Sequence, residues 1–172
     1  MNYELDERYT LLPFPEADVG EQDIVDMWER EGVVDPRDGA DRAREAICVG
    51  IDRDDGLVAV TTAYLDHSTQ LRTQMWHLRG FVAAAHRRSS VGVHLLRATR
   101  LVMEGNFVAS EDRRAPGIMF ELENEGVKGT RIEAVWRDDR ISEGIEWTFI
   151  GENAKGDHLR VHYFAGAEIS AP

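Results

Sequence analysis

At 172 residues the chain has the size of one compact domain, residues 1–172, able to bury roughly 70% of its unfolded surface. Its 42% hydrophobic and 30% charged residues, with 15 Gly and five Pro, exclude disordered, collagen-like and low-complexity classes. Twenty basic against 32 acidic side chains leave a formal charge of −12, which repels phosphate backbones and anionic lipid, so neither nucleic acid nor a membrane is an expected partner. No apolar run approaches the roughly 18 residues of a span, and the start MNYELDERYT is acidic where a signal peptide is basic and then apolar. The lone Cys48 allows no internal disulfide and no multi-cysteine zinc site, which fits a reducing, cytoplasmic compartment.

In chain order, Tyr9 to Phe14 reads as a short strand bounded by Pro13 and Pro15, and Asp18-x-x-Glu21 as a capping box. A helix follows, with Ile24, Val25, Met27 and Trp28 on one side, until Gly32 stops it. A second short helix is expected to start at Pro36. Ile47 to Ile51 and Leu57 to Leu65 read as antiparallel strands around the turn Asp52 to Gly56. Gln74 to Ala85 is a further strand, with Trp76, Leu78 and Val82 on one face and His77, Arg79 and Phe81 on the other. Val91, Leu95, Ala98 and Val102 recur at helical spacing opposite Arg97, Arg100 and Glu104. Ile118, Phe120 and Leu122 alternate with Met119, Glu121 and Glu123 as a strand does. Ile145, Trp147 and Phe149, then Leu159, Val161 and Tyr163, form a closing hairpin. The fold class is α+β: a mixed, mostly antiparallel twisted sheet of about six to seven strands with helices on both faces.

The informative stretch is Arg79 to Met103, where an apolar strand enters a basic, small-residue loop that opens into an amphipathic helix. Unpaired N–H groups at a helix start, the positive end of the helix dipole and small residues together suit a pyrophosphate. In an otherwise acidic chain, His86, Arg87 and Arg88 form the local anion-binding cluster. A polar, small-residue strand-to-helix connection serves equally well as a plain structural turn.

This loop and the element order resemble the GNAT superfamily of acyl-CoA N-acyltransferases over nearly the whole chain. The family's signature, Arg or Gln, two residues, Gly, one residue, then Gly or Ala, reads here Arg87-Arg88-Ser89-Ser90-Val91-Gly92, with Ser90 at the first Gly position. The resemblance implies acetyl-CoA as co-substrate, with the N–H groups of Arg88, Ser90, Gly92 and Val93 around its pyrophosphate and the backbone of Phe81 and Val82 along its pantetheine arm. It also implies that Gly117 to Leu122 splays from Gln74 to Ala83 to form the cofactor slot, and that Asn124 contacts the cofactor. The family often places a Tyr soon after that Asn; here none follows until Tyr163.

Amine acylation needs a base and a proton donor for the thiolate. Glu121 and Glu123, on the polar face of the strand lining the slot, and His77 on its neighbour are the candidate bases, and Tyr163 the candidate acid. Each has an ordinary alternative, since Glu is mostly solvent-exposed and strand Tyr usually packs. His158-x-x-x-His162 lacks the further ligands of a zinc site, so no metal is expected. Residues Gly126 to Thr130 lack P-loop spacing, and Cys48 reads as a buried small hydrophobe. The expected activity is transfer of an acetyl or other acyl group to a small-molecule amine or lysine-bearing acceptor, with Asp35, Asp38 and Asp41 suiting a cationic one. The alternative is a GNAT-like module that binds CoA or a protein partner without transfer. A homodimer is compatible with either.

Overall fold

The structure, a computed structural model, describes residues 4–33, 36–123, 128–129, 132–137 and 146–169. Strand β1 (Tyr9–Pro13) is followed by α1 (Glu21–Glu31) and α2 (Pro36–Ala43), then by β2 (Ala46–Asp52), β3 (Gly56–Ser68) and β4 (Thr73–Val82). A 3-10 turn, Ala84–His86, leads to α3 (Val91–Val108), β5 (Gly117–Leu122), β6 (Val135–Arg137), β7 (Glu146–Glu152) and β8 (His158–Tyr163). The strands form one eight-stranded sheet in the order β1-β2-β3-β4-β5-β8-β7-β6. The β4–β5 pair is parallel, as a crossover through α3 requires, while β1–β2, β2–β3, β5–β8, β8–β7 and β7–β6 are antiparallel.

The expected α+β class holds, with one strand more than the sequence suggests. That strand is β6, three residues long, too short for a period of two to stand out. Helix α1 starts differently from the expected capping box: the Asp23 carboxylate accepts the Gly20 N–H at 2.7 Å. An acidic group in the first turn also complements the helix dipole. Gly32, at φ +68, closes α1 while the next N–H, of Val33, reaches back to the Trp28 carbonyl. The alternation expected at Trp147 and Phe149 breaks, since Trp147 is buried and Phe149 is not, and the β7–β8 register slips between Phe149 and Gly151. Ile145 and Asn124 lie outside the described residues.

The chain divides into two compact units, Met1–Ala63 with Gly80–Val102, and Tyr64–Arg79 with Met103–Pro172. In the first, neighbouring residues of β2 enter different cores, as the pleat dictates. Cys48 packs with Tyr9, Val58, Val91 and Leu95, and Val49 with Ile24, Met27, Trp28 and Ala43. Thr61 Oγ1 lies 2.7 Å from Thr99 Oγ1 and bonds the Cys48 carbonyl, so β2, β3 and α3 share one buried polar link. The β2–β3 turn is built on Asp52, whose Oδ1 accepts the N–H groups of Asp54 and Asp55 at 2.9 and 3.0 Å and whose Oδ2 pairs with Arg8.

In the second unit Met75, Met119, Leu159 and Val161 form one cluster, while Phe120 meets Trp147 edge-on at 4.7 Å and Phe107 meets Phe164 at 5.3 Å. The buried Arg160 donates to the Trp147 and Glu133 carbonyls, which satisfies part of a guanidinium that would otherwise be costly inside a core. Gly117 faces Tyr163 across the β5–β8 ladder, and a Cβ there would sit 2.3 Å from the His162 carbonyl oxygen.

Gly117→Ala is therefore expected to cost about 3 kcal/mol in urea unfolding. Gly105→Ala, at an exposed α3 position where a Cβ meets nothing within 4 Å, should instead stabilise by about 1 kcal/mol. Equal effects of the two would refute the close β5–β8 approach. The Arg8 guanidinium holds the Asp52 carboxyl well below its ordinary range, its hydrogen bond acting first, against burial, with the Asp54 and Asp55 N–H groups helping. A depressed carboxyl stabilises the fold above its unfolded pKa of about 3.9, and that contribution is lost as pH falls through the folded value. Asp52→Asn should therefore melt below wild type at pH 7, with the gap narrowing below about pH 4. A gap unchanged at low pH would show that the ion pair contributes nothing.

Candidate functional site

The basic turn belongs wholly to the first unit. β4 ends at Val82, the Ala83 N–H bonds the Val58 carbonyl, and the Ala84 N–H donates to Glu31 at 2.9 Å. His86, expected as part of the cationic cluster, is instead buried. Its Nδ1 lies 2.9 Å from the Tyr9 hydroxyl and its Nε2 3.3 Å from Asp55 Oδ2. An imidazole with both nitrogens engaged inward offers nothing to an anion in the loop. Its backbone carbonyl does the positioning, accepting both the N–H and the hydroxyl of Ser89 at 3.0 and 2.7 Å.

Ser89 Oγ in turn accepts the Val91 N–H at 3.3 Å, and the Ser90 hydroxyl bonds the Glu4 carbonyl at 2.9 Å. The serine at the first signature glycine therefore ties the loop to the N-terminal segment. Among the described residues, no acceptor takes the N–H of Arg88, Ser90, Gly92 or Val93. Gly92 and Val93 stand in the first turn of α3, beyond reach of that helix's own carbonyls. Arg87 and Arg88 are exposed, and Arg87 Nε is tethered to the Val82 carbonyl at 3.0 Å, beside the Phe81 ring. The Val82 carbonyl, expected along a pantetheine arm, is thus already engaged. A Cβ on Gly92 would meet Val82 Cγ2 at 3.3 Å, so larger side chains are disfavoured there.

The candidate acid–base groups belong to the second unit. β4 and β5 pair through Trp76, His77 and Leu78 with Ile118, Met119 and Phe120, and the ladder stops there, although β5 continues to Leu122. Glu121 is the first β5 residue past the paired stretch, on the face it shares with His77 by strand parity. His77 is half-buried, stacks on Tyr64 at 5.1 Å, and keeps its Nε2 buried with no hydrogen-bond partner among the described residues. Arg79 lies over the Tyr64 ring at 4.0 Å. Burial lowers the His77 pKa against the opposing pull of Asp66 and Glu121, with Arg79 adding to the lowering, so the ring is neutral at pH 7.

Glu121 is exposed, and its Oε2 accepts from Asn153 Nδ2 at 2.9 Å. Glu123, past the end of β5, is exposed as well. The structure brings Glu121 and His77 into electrostatic contact but not Tyr163, which faces Gly117 while Glu121 faces Leu159. Four strand steps, roughly 13 Å, separate those positions. The Tyr163 phenol, raised by partial burial, is protonated at neutral pH. Asn153 is the residue the sequence did not bring forward, because it lies in a hairpin turn 32 positions from its partner.

Other clusters are engaged structurally. Asp52, Asp55 and His86 bring three potential ligand atoms within 4.8 Å of one another, but Arg8 bonds Asp52 and Tyr9 bonds His86. His158 and His162 diverge: the first packs on Phe149 near Glu152, the second bonds the Glu146 carbonyl and faces Glu104. Cys48 is fully buried, and burial pushes its thiol up to about 11, which excludes an activated nucleophile at neutral pH. Of the three acidic residues expected to attract an acceptor, Asp41 is paired with Arg44 at 2.8 Å, Asp38 lies on α2, and Asp35 is outside the described residues.

No protein-family model and no curated protein matches the sequence. Solved structures are similar at the level of fold. An acetyltransferase of the GNAT family from Streptococcus pneumoniae aligns with a TM-score of 0.53 at 7% identity, over 91% of this chain and 99% of that one. The ribosomal-protein-S5-alanine acetyltransferase of Vibrio fischeri aligns with a TM-score of 0.56 at 12% identity, over 95% and 97%. A mutant of the AtaT toxin, bound to acetyl-CoA and the C-terminus of the antitoxin AtaR, gives 0.52 at 11% identity, over 91% and 94%. With the β-α-α-β-β-β-α-β order and the parallel β4–β5 pair, these similarities show that the chain has the fold of the GNAT superfamily of acyl-CoA-dependent N-acyltransferases.

Proposed function

We propose that the protein is an N-acyltransferase that moves an acetyl or other acyl group from acyl-CoA to an amine by direct attack. The observation that carries this reading is the turn at residues 87–93: four N–H groups without acceptors, two exposed arginines and a glycine whose Cβ would crowd Val82. Such a turn matches a pyrophosphate in charge and in backbone access. Bound there, acetyl-CoA would supply an activated thioester carbonyl. The acceptor nitrogen forms the new C–N bond as the C–S bond breaks; one amine proton passes to the base and one to the departing sulfur, leaving an amide and free CoA.

Glu121 is the first choice of base, with His77 and Glu123 behind it. It is an exposed carboxylate where the β4–β5 ladder ends, able to bind an ammonium and accept its proton directly or through water. The net charge of −12 favours a cationic acceptor such as a polyamine or a lysine side chain. A cytoplasmic location fits the unpaired Cys48. The reading of a module that binds CoA or a protein partner without transfer is favoured by Tyr163, whose phenol stands at the opposite end of β5 from Glu121.

CoA or acetyl-CoA should raise the melting temperature, equivalent to about 2.7 kcal/mol at 100 times the dissociation constant. Gly92→Glu, which adds bulk and negative charge at the first turn of α3, should abolish that shift while the circular dichroism spectrum stays native. Equal CoA affinity in the variant would place the cofactor elsewhere. Glu121→Gln should lower amine-dependent thiol release about 10- to 100-fold at unchanged CoA affinity. Undiminished turnover would remove Glu121 from the reaction.

A further inference from the structure

The turn joining β7 to β8 contains an amide with every hydrogen-bonding group in use. Asn153 Oδ1 accepts the N–H groups of Lys155 and Asp157 at 2.8 and 3.0 Å, and its Nδ2 donates to Asp157 Oδ2 at 3.1 Å and to Glu121 Oε2 at 2.9 Å. Reversing the amide would set its two hydrogens against two backbone N–H donors, so the hydrogen-bond pattern fixes its orientation. Asp157 is itself buried and held by Lys128 Nζ at 3.5 Å, and that ammonium also donates to the Gly156 carbonyl. The turn is closed by Asn153 N–H to the Asp157 carbonyl at 3.0 Å.

Glu121 stands at the other end of this chain of contacts. A glutamate exposed on a strand samples many rotamers, and holding one carboxylate oxygen removes most of that freedom. Among the described residues Asn153 is the sole hydrogen-bond partner of the Glu121 carboxylate, and it takes Oε2, leaving Oε1 for an acceptor.

We propose that Asn153 is a positioning residue that holds the Glu121 carboxylate oriented toward a cationic amine acceptor. This rests on the acyl-transfer reading above and deepens it. The two jobs of the side chain can be separated: Asn153→Asp keeps the oxygen that builds the turn but replaces the donor to Glu121 with a like charge between two carboxylates. Asn153→Ser keeps a shorter turn-forming oxygen without the reach to Glu121 and adds no charge.

The experiment measures thiol release from acetyl-CoA against spermidine, free lysine and a lysine-bearing peptide, in wild type, both Asn153 variants, Glu121→Gln and the double variants, with melting curves and CoA affinity alongside. Both Asn153 variants should fold, bind CoA as wild type does and lose turnover about tenfold or more at unchanged KM for acetyl-CoA. In the Glu121→Gln background neither variant should lower the rate further, because the effect runs through the missing carboxylate. If Asn153→Asp does not fold, Asn153→Ser alone decides by the same cycle. Wild-type turnover in a folded Asn153 variant, or an equal loss with and without Glu121, overturns the proposal while leaving acyl transfer standing. Absence of amine-dependent thiol release in wild type overturns acyl transfer, and this proposal with it.

Discussion

The basic turn holds its shape because His86 is buried. Its ring is clamped between the Tyr9 hydroxyl on β1 and the Asp55 carboxylate of the β2–β3 turn, and this fixes the backbone carbonyl that receives Ser89 twice. From Ser89 the order passes to the first N–H of α3, and from Ser90 to the N-terminal segment. The donors left without partners are those between and just after these anchors. A turn tied down by its side chains and carbonyls, with four of its N–H groups spared, needs little reorganisation to receive an anion. Asp55 also lies 3.5 Å from Arg8, which bonds Asp52, so the clamp extends into the ion pair that shapes the β2–β3 turn.

A different constraint governs the second unit. β5 has β8 along its full length on one side, from Gly117 opposite Tyr163 to Leu122 opposite His158, but β4 for only three residues on the other. The close approach at Gly117, where no Cβ fits, fixes the antiparallel register and so fixes which β5 residues outrun the parallel pairing. Glu121 is placed by that register, and its exposure follows from the end of the ladder. The strand's apolar partners, Met119 against Val161 and Phe120 against Trp147, set the pleat that turns Glu121 to the same side as His77.

Much of this was legible along the chain because it depends on local pattern. The stripe Ile24, Val25, Met27 and Trp28, the turn at Asp52 to Gly56, and the run from Arg87 to Gly92 each declare themselves within a dozen residues. What escaped depends on contacts distant in sequence. The composition around His86 reads as cationic, and only Tyr9, 77 positions away, shows that the ring faces inward. The β7–β8 turn looks like any polar hairpin turn, and Asn153 acquires meaning only from Glu121 on another strand. The short β6 carries too few residues to display a period, and the displaced start of α1 turns on one carboxylate choosing between nearby N–H groups.

The charge balance then separates the demands on a site for an anion from those on a site for a cation. A net charge of −12 opposes the approach of any polyanion at long range, so a pyrophosphate bound as proposed would rely on short-range donors: the N–H groups of Arg88, Ser90, Gly92 and Val93 and the side chains of Arg87 and Arg88. The same field draws cations inward without specifying where they stop. Discrimination among them falls to fixed carboxylates: that of Glu121 is held by an amide whose orientation the turn sets, whereas Asp41 of α2 is already paired with Arg44. On the proposed reading the burial of His77 near Glu121 matters as well, because a charged imidazole there would compete with an acceptor ammonium for the carboxylate, and burial lowers the His77 pKa.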